Sequence, residues 1–295
     1  MTVGKARTAV VTGAASGIGF ALSQHLGERG CRLMMSDVEK PALEEAVATL
    51  SSGGVEAVGV TCDVTKLDEV RSLEESARRQ LGDIDAVFLN AGIFGGLAPM
   101  WELDILDWRW TIDVDLYGVI HGIMAFVPAM VERNAGHVNA TASLAGVSSP
   151  PFNAAYNAAK HGVVALMETL RGELDVLAPK VGVSVTCPGG VATRIQQSVR
   201  NRPAELTSPN SKAAFLDFTG VLSEKDELII GAATGISGSA SAEDQAIDAQ
   251  FLDPYPFAGE VLRQIDMGRL HVAPGRAVAR AAAARVDALM TDLRD

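Results

Sequence analysis

Two hydrophobic periods take turns along the first part of the chain. Short β-branched runs at 9–11, 33–35, 58–60, 86–89, 137–138 and 183–185 alternate with longer stretches of helical period at 17–29, 40–51, 66–81, 107–133 and 153–177. Strands separated by helices imply crossover connections. Runs that are apolar at nearly every position imply burial on both faces. The pattern therefore predicts an α/β fold: a doubly wound parallel sheet covered by helices. After Gly190 the alternation stops. Residues 194–250 mix charged, Ser/Gly-rich and isolated apolar positions, as in a lid, a binding loop or a disordered segment. A helix at 257–267, a strand at 269–273 and an Ala-rich helix at 276–293 follow. With no internal repeat, the expectation is one domain over 1–295, carrying an irregular inset at 194–250 and a helical extension at 276–295.

Composition narrows the function. Of 295 residues 48% are hydrophobic and 21% charged, with a net charge of −11, so the chain can build a large core. No Lys/Arg cluster offers phosphates a docking face, and the acidic balance disfavours nucleic acid and anionic membranes alike. The most apolar helical stretch, 119–131, is interrupted by His121, Gly122 and Pro128 and is too short to span a bilayer. The N-terminus has no signal-peptide architecture. Cys31, Cys62 and Cys187 are scattered beside predicted strands and read as buried, reduced thiols. A cytoplasmic protein acting on small molecules is expected. His25, His121, His137, His161 and His271 lack paired ligand spacing, so no metal site is expected.

The turn Thr12-Gly13-Ala14-Ala15-Ser16-Gly17-Ile18-Gly19 follows the first strand and opens the first helix. Glycines there let a pyrophosphate approach the backbone, while the helix N-terminus offers it unpaired N–H groups. Asp37 closes the second strand, where a carboxylate can accept hydrogen bonds from an adenosine ribose hydroxyl and repel a 2′-phosphate. Arg29 and Arg32 are not placed to offset it. NAD is expected as cofactor, with NADP less favoured.

Tyr156 and Lys160 stand four residues apart on one helical face. An ammonium there can favour the phenolate and bring the tyrosine pKa down toward working pH, as an acid/base requires. Ser143 lies at the carboxyl end of a predicted strand, where such sheets bind ligands, and can hold a substrate oxygen.

These residues carry a resemblance. The Thr12–Gly19 glycine turn, Asp63-Val64, Asn90-Ala91-Gly92, Ser143, Tyr156-x-x-x-Lys160 and Pro188-Gly189 are similar in order and spacing to the motifs of the short-chain dehydrogenases/reductases. The resemblance covers about 6–194 and, more loosely, 257–274. It implies a Rossmann fold of seven strands, a nicotinamide cofactor, and Tyr156 as acid/base. Lys160 would hold the nicotinamide ribose and depress the Tyr156 pKa, and Ser143 would position the substrate oxygen. Asp63 would contact adenine, Asn90 would brace the sheet, and Val191 and Thr193 would line the nicotinamide end, Thr193 holding the carboxamide. The helices at 107–133 and 153–177 correspond to those that pair subunits in the family, which implies a homodimer or homotetramer. One position departs. Where many members have Asn in a proton relay, this chain reads Val114-Asp115-Leu116, and ionised Asp accepts hydrogen bonds but donates none. The relay is expected to survive with Asp115 in it.

The substrate side is expected from 93–100, 144–152 and the inset. The first two segments offer Phe94, Leu97, Met100, Leu144, Val147, Pro150, Pro151 and Phe152 without any Asp, Glu, Lys or Arg. Such a lining selects a bulky hydrophobic alcohol or ketone, of aryl, terpenoid or steroid type. About half of these side chains are expected to serve the core instead. Arg194, Arg200 and Arg202 open the inset; they read first as a solvated lid surface, and second as an anion-binding group. The layout resembles bacterial aryl-alcohol (Cα) dehydrogenases. The readings set against an NAD-linked dehydrogenase are an NADPH-linked ketoreductase and a non-catalytic dinucleotide-binding sensor or scaffold.

Overall fold

A computed structural model describes residues 3–211 and 251–293. Seven parallel strands form one sheet: β1 (Thr8–Thr12), β2 (Arg32–Asp37), β3 (Ala57–Thr61), β4 (Ala86–Leu89), β5 (Gly136–Thr141), β6 (Val181–Thr186) and β7 (His271–Val272), in the spatial order β3-β2-β1-β4-β5-β6-β7. The chain winds outward from β1 in one direction and from β4 in the other, so a crevice opens where these two strands end. Thr12 and Gly13 leave β1 there, beside Asn90 and Ala91 at the end of β4.

Helices cover both faces, which is why β1, β4 and β5 are buried throughout. Side chains alternate across the sheet. Ala9, Val11, Leu33 and Met35 pack with α1 (Gly17–Glu28), α2 (Lys40–Ser52) and α7 (Pro254–Asp266). Val10, Met34 and Val87 pack with α3 (Leu67–Leu81), α5 (Gly118–Arg133) and α6 (Ala154–Leu177). In α3 the buried Val70, Leu73, Ala77 and Leu81 form an apolar stripe, with Asp68 and Glu69 in the first turn and Arg78 and Arg79 in the last, each sign favourable to the helix dipole. A final helix, α8 (Ala277–Asp292), buries only Val278 in the core.

The expected helix at 107–133 is longer and less regular than its period suggests. It begins as α4 (Ile105–Ile112), widens into one π-helical turn at Asp113–Tyr117, and continues as α5 through Pro128. Proline removes one backbone bond without ending the helix. The continuous stretch of 29 residues is long and apolar enough to cross a membrane by length and composition, unlike the shorter span read from the sequence. Here its apolar residues Val119, Phe126 and Met130 are buried in the core, and its Asp115 faces inward. Of the expected inset, 212–250 lies outside the described residues. Its described part folds as short 3₁₀ turns at Ile195–Asn201 and Ala204–Leu206.

Candidate active site

A cavity of about 1010 Å³ runs along the carboxyl ends of the strands, from Asp37 at the end of β2 to Tyr156 on α6. The glycine turn forms its floor. Gly13 has φ +64, and a Cβ on it would lie 2.8 Å from the Ala91 Cα. A Cβ on Gly19 would lie 2.1 Å from the Gly13 carbonyl oxygen. Only glycine lets the helix start this close to the strand. Gly13, Ser16, Gly17 and Ile18 face the cavity; Gly19 packs beneath the turn instead of lining it. The first-turn amides of α1 have no intrahelical acceptors.

Around this floor stand the other residues expected for a dinucleotide. Asp37 accepts from the Ala15 and Glu39 amides, each at 3.0 Å. Burial pushes its carboxyl above the ordinary range, and these amides pull it back. Arg29 pairs with Asp266 at 2.9 Å, and Arg32 donates to the Leu81 carbonyl, so both cations point away. Asp63 lines the wall beside Val64, but its Oδ1 already accepts from the Thr65 amide and hydroxyl, at 3.0 and 2.8 Å. Asn90 ties three strands together. Its amide group donates to the Thr12 carbonyl at 3.2 Å, and its Oδ1 accepts from Thr141 Oγ1 at 3.1 Å. Ala91, Gly92, Pro188, Gly189, Val191 and Thr193 complete this arm.

At the other end Tyr156 is 6% exposed, and Ser143 lines the cavity with it. Ser143 leaves β5 in extended conformation and caps the short turn Leu144–Gly146, accepting from the Ala145 amide at 3.1 Å. The Phe94 ring meets Tyr156 with centroids 5.3 Å apart. Lys160 is buried, with its Nζ 5.4 Å from the Tyr156 ring centroid, 3.2 Å from the Thr141 carbonyl oxygen and 3.7 Å from Asp115 Oδ1.

Asp115 differs from its neighbours in not reaching the cavity. It is fully buried behind Gly92 and Ile93, accepts the Ile93 amide at 2.8 Å through Oδ1, and has no hydrogen-bond partner for Oδ2 among the described residues. Burial drives its carboxyl up to about 6, against the opposing pull of Lys160. This arrangement corrects the expectation for Tyr156. Burial first, and the Asp115 carboxylate second, hold the phenol above its ordinary value, while Ser143 lowers it. The spacing correctly places the ammonium beside the phenol, but the buried carboxylate offsets its charge.

The expected substrate residues divide. Phe94, Leu144, Pro150 and Pro151 line the cavity. Leu97 is core, Met100 is exposed, and Val147 and Phe152 stand outside the lining. Phe152 takes a left-handed backbone at φ +66, and its carbonyl accepts from the Ala98 amide, so it shapes the loop instead of the wall. Sequence reasoning missed Trp110 and Val114, which sit one turn apart and line the cavity with Ile93 and Leu206. Their helical spacing was the available signal, absorbed into a reading of the helix as a pairing surface. Missed too were Glu39 and, on α8, Ala281 and Ala284. Of the three inset arginines, Arg194 and Arg200 are exposed, as expected of a lid surface, and the Arg202 side chain is not. Arg202 is buried against Asp107 at 2.5 Å and stacks 5.0 Å from the Trp110 ring, while Arg200 pairs with Glu39.

A cavity at the switch point of a doubly wound sheet, floored by a glycine turn and ending at a Ser–Tyr–Lys group, defines a dinucleotide-linked oxidoreductase. The chain belongs to the short-chain dehydrogenase family, whose model matches residues 7–204. It is an enzyme of the alcohol dehydrogenase/reductase kind. It is 37% identical over 212 residues to the 1-deoxy-11-beta-hydroxypentalenate dehydrogenase of Streptomyces avermitilis, covering 70% of this chain and 78% of that one. A C alpha-dehydrogenase of Sphingobium sp. is 29% identical over 297 residues, covering 98% and 94%. The crystal structure of a Burkholderia phymatum short-chain dehydrogenase/reductase in complex with NAD superposes with a TM-score of 0.82 at 32% identity, covering 99% of this chain and 97% of that one. Similar solved structures hold NAD or NADPH.

Proposed function

We propose that this enzyme interconverts a bulky, largely apolar secondary alcohol and its ketone with NAD, using Tyr156 as the acid/base. The observation that carries the reading is the single cavity with Tyr156 and Ser143 at one end and Asp37 at the other. Its residues fit a dinucleotide: the glycines let α1 start close against β1 and the end of β4, and the first-turn amides of α1, beside Ser16, Gly17 and Ile18 in the cavity lining, are donors for a pyrophosphate. Asp37 retains carboxylate lone pairs for a ribose diol and repels a 2′-phosphate, which supports NAD over NADP.

Held by the glycine turn, Asp37 and Lys160, NAD would supply the hydride acceptor for the alcohol carbon, and NADH the hydride donor for a ketone. The protein's part is to hold the oxygen and move its proton. Ser143 hydrogen-bonds the substrate oxygen. Tyr156 takes the hydroxyl proton during oxidation and gives it back during reduction. Lys160, fixed by Thr141 and Asp115, supplies positive charge beside the phenol and binds the nicotinamide ribose. The wall of Phe94, Trp110, Val114, Leu144, Pro150 and Leu206 excludes water and favours an apolar skeleton. Both relatives are named dehydrogenases, and the name of one, a 1-deoxy-11-beta-hydroxypentalenate dehydrogenase, agrees with oxidation of a hydroxyl. Buried free thiols at Cys31, Cys62 and Cys187, pushed up to about 11, 12 and 12, support a reducing, cytoplasmic setting.

A screen at 340 nm against aryl, terpenoid, steroid and short aliphatic secondary alcohols tests this. NAD reduction by the bulky alcohols is expected, with little from the short ones. Turnover confined to short alcohols, or dependent on NADP, would contradict the reading.

A further inference from the structure

The adenosine end of the cavity is crossed by a clasp. Glu39 lies two residues beyond Asp37, and its amide donates to Asp37 Oδ1 at 3.0 Å, so the two carboxylates stand on one short turn. The Glu39 carboxylate reaches across to the turn after β6. Arg200 Nε lies 3.1 and 3.2 Å from its two oxygens, and Nη2 lies 2.5 Å from Oε1. Asn201 Nδ2 adds a bond at 2.9 Å. The remaining side of the guanidinium is also occupied: Nη1 donates to the carbonyls of Arg194 at 3.2 Å and Gln197 at 2.8 Å. Asp37, Val38, Glu39, Arg200 and Asn201 all line the same arm of the cavity.

Arg200 is thus a cation in the same cavity lining as Asp37, bound to the carboxylate two residues beyond it, on the side where a ribose phosphate would need one. Arginine's planar fork suits a phosphate as well as a carboxylate. In this chain the fork is filled by Glu39, and Arg200 is the group that most lowers the Glu39 carboxyl pKa.

Building on the proposed use of NAD, we propose that Glu39 is a second coenzyme-specificity residue, acting by sequestering Arg200 so that a 2′-phosphate meets the Asp37 carboxylate and no available guanidinium. Glu39 is a positioning residue in this scheme. Asp37 discriminates by direct repulsion, and Glu39 by denying the competing coenzyme its counter-charge, a device that works against the wrong ligand.

The experiment is a fluorescence titration of NADH and NADPH with the wild-type protein, Glu39→Ala and Glu39→Ala/Arg200→Leu. In Glu39→Ala, NADPH is expected to bind about tenfold more tightly, with NADH changed by less than about threefold, as one new charge-assisted hydrogen bond from Arg200 to the phosphate would give. Removing Arg200 as well should cancel the tightening, which a merely structural role for Glu39 would not do. An unchanged NADPH/NADH ratio in Glu39→Ala, or a tightening that survives loss of Arg200, would overturn the role given to Glu39. A wild-type protein that already prefers NADPH would overturn the NAD reading beneath it, so the two failures are distinguishable.

Discussion

At the scale of single residues, Asp115 shapes the chemistry most without touching the cavity. A carboxylate buried within 3.7 Å of Lys160 partly cancels the charge that would otherwise favour the Tyr156 phenolate. Tyr156 therefore rests as the phenol at neutral pH. The phenol is the form that protonates a ketone, whereas alcohol oxidation needs the phenolate and should quicken as pH rises. Asp115→Asn removes the negative charge, and the unopposed Lys160 then lowers the tyrosine. The rising limb of the pH profile for alcohol oxidation is expected to move to lower pH by about one unit. Because the Asp115 carboxyl sits at about 6, wild type and variant should converge at acidic pH, where wild-type Asp115 is itself neutral. Steady-state rates across pH check this; an unmoved limb would mean that Asp115 does not govern Tyr156. The sequence shows that Asp stands at this position. It does not show the depth of burial, which turns a common side chain into a control on its neighbour.

At the scale of elements, the segment after β6 is held by contacts the sequence hides. Arg202, with a side chain 2% exposed, pairs with the equally buried Asp107 of α4 and donates to the Leu206 carbonyl at 2.7 Å. This ties the cavity roof to the helix that carries Trp110. Removing one partner of a buried ion pair costs about 3–5 kcal/mol, whereas replacing both by apolar residues is often neutral. Thermal unfolding of Arg202→Met should show a loss of that order, and Arg202→Met/Asp107→Leu should recover most of it. Equal losses in the two variants would show that the pair does not act as a unit. These contacts were illegible because partners 95 residues apart in an irregular segment leave no period to read. The sheet was legible for the opposite reason. From β1 to α6 the strands and the helices after them repeat one short pattern, and the glycine turn, Asp37, Asn90, Ser143 and the Tyr156–Lys160 pair sit at fixed places in that alternation. The substrate wall was half legible. Phe94 and Leu144 point inward as expected, while Phe152 is turned out by a left-handed backbone that no hydrophobic pattern announces.

At the scale of the whole molecule, the winding of the sheet makes the site. Reversal of direction between β1 and β4 opens the crevice, the glycine turn and Asn90 keep its edges close, and α6 brings Tyr156 and Lys160 over its far end. Coenzyme binding and proton transfer thus rest on different parts of one cavity and should be separable by mutation. The most direct test compares wild type with Tyr156→Phe. NADH affinity is measured by fluorescence titration, and NAD reduction by a bulky secondary alcohol is followed at 340 nm. The variant is expected to bind NADH within a few-fold of wild type and to lose turnover by at least about 10²-fold, the usual contribution of a positioned acid/base. Turnover in Tyr156→Phe close to that of wild type would contradict the assignment of Tyr156 and, with it, the central claim.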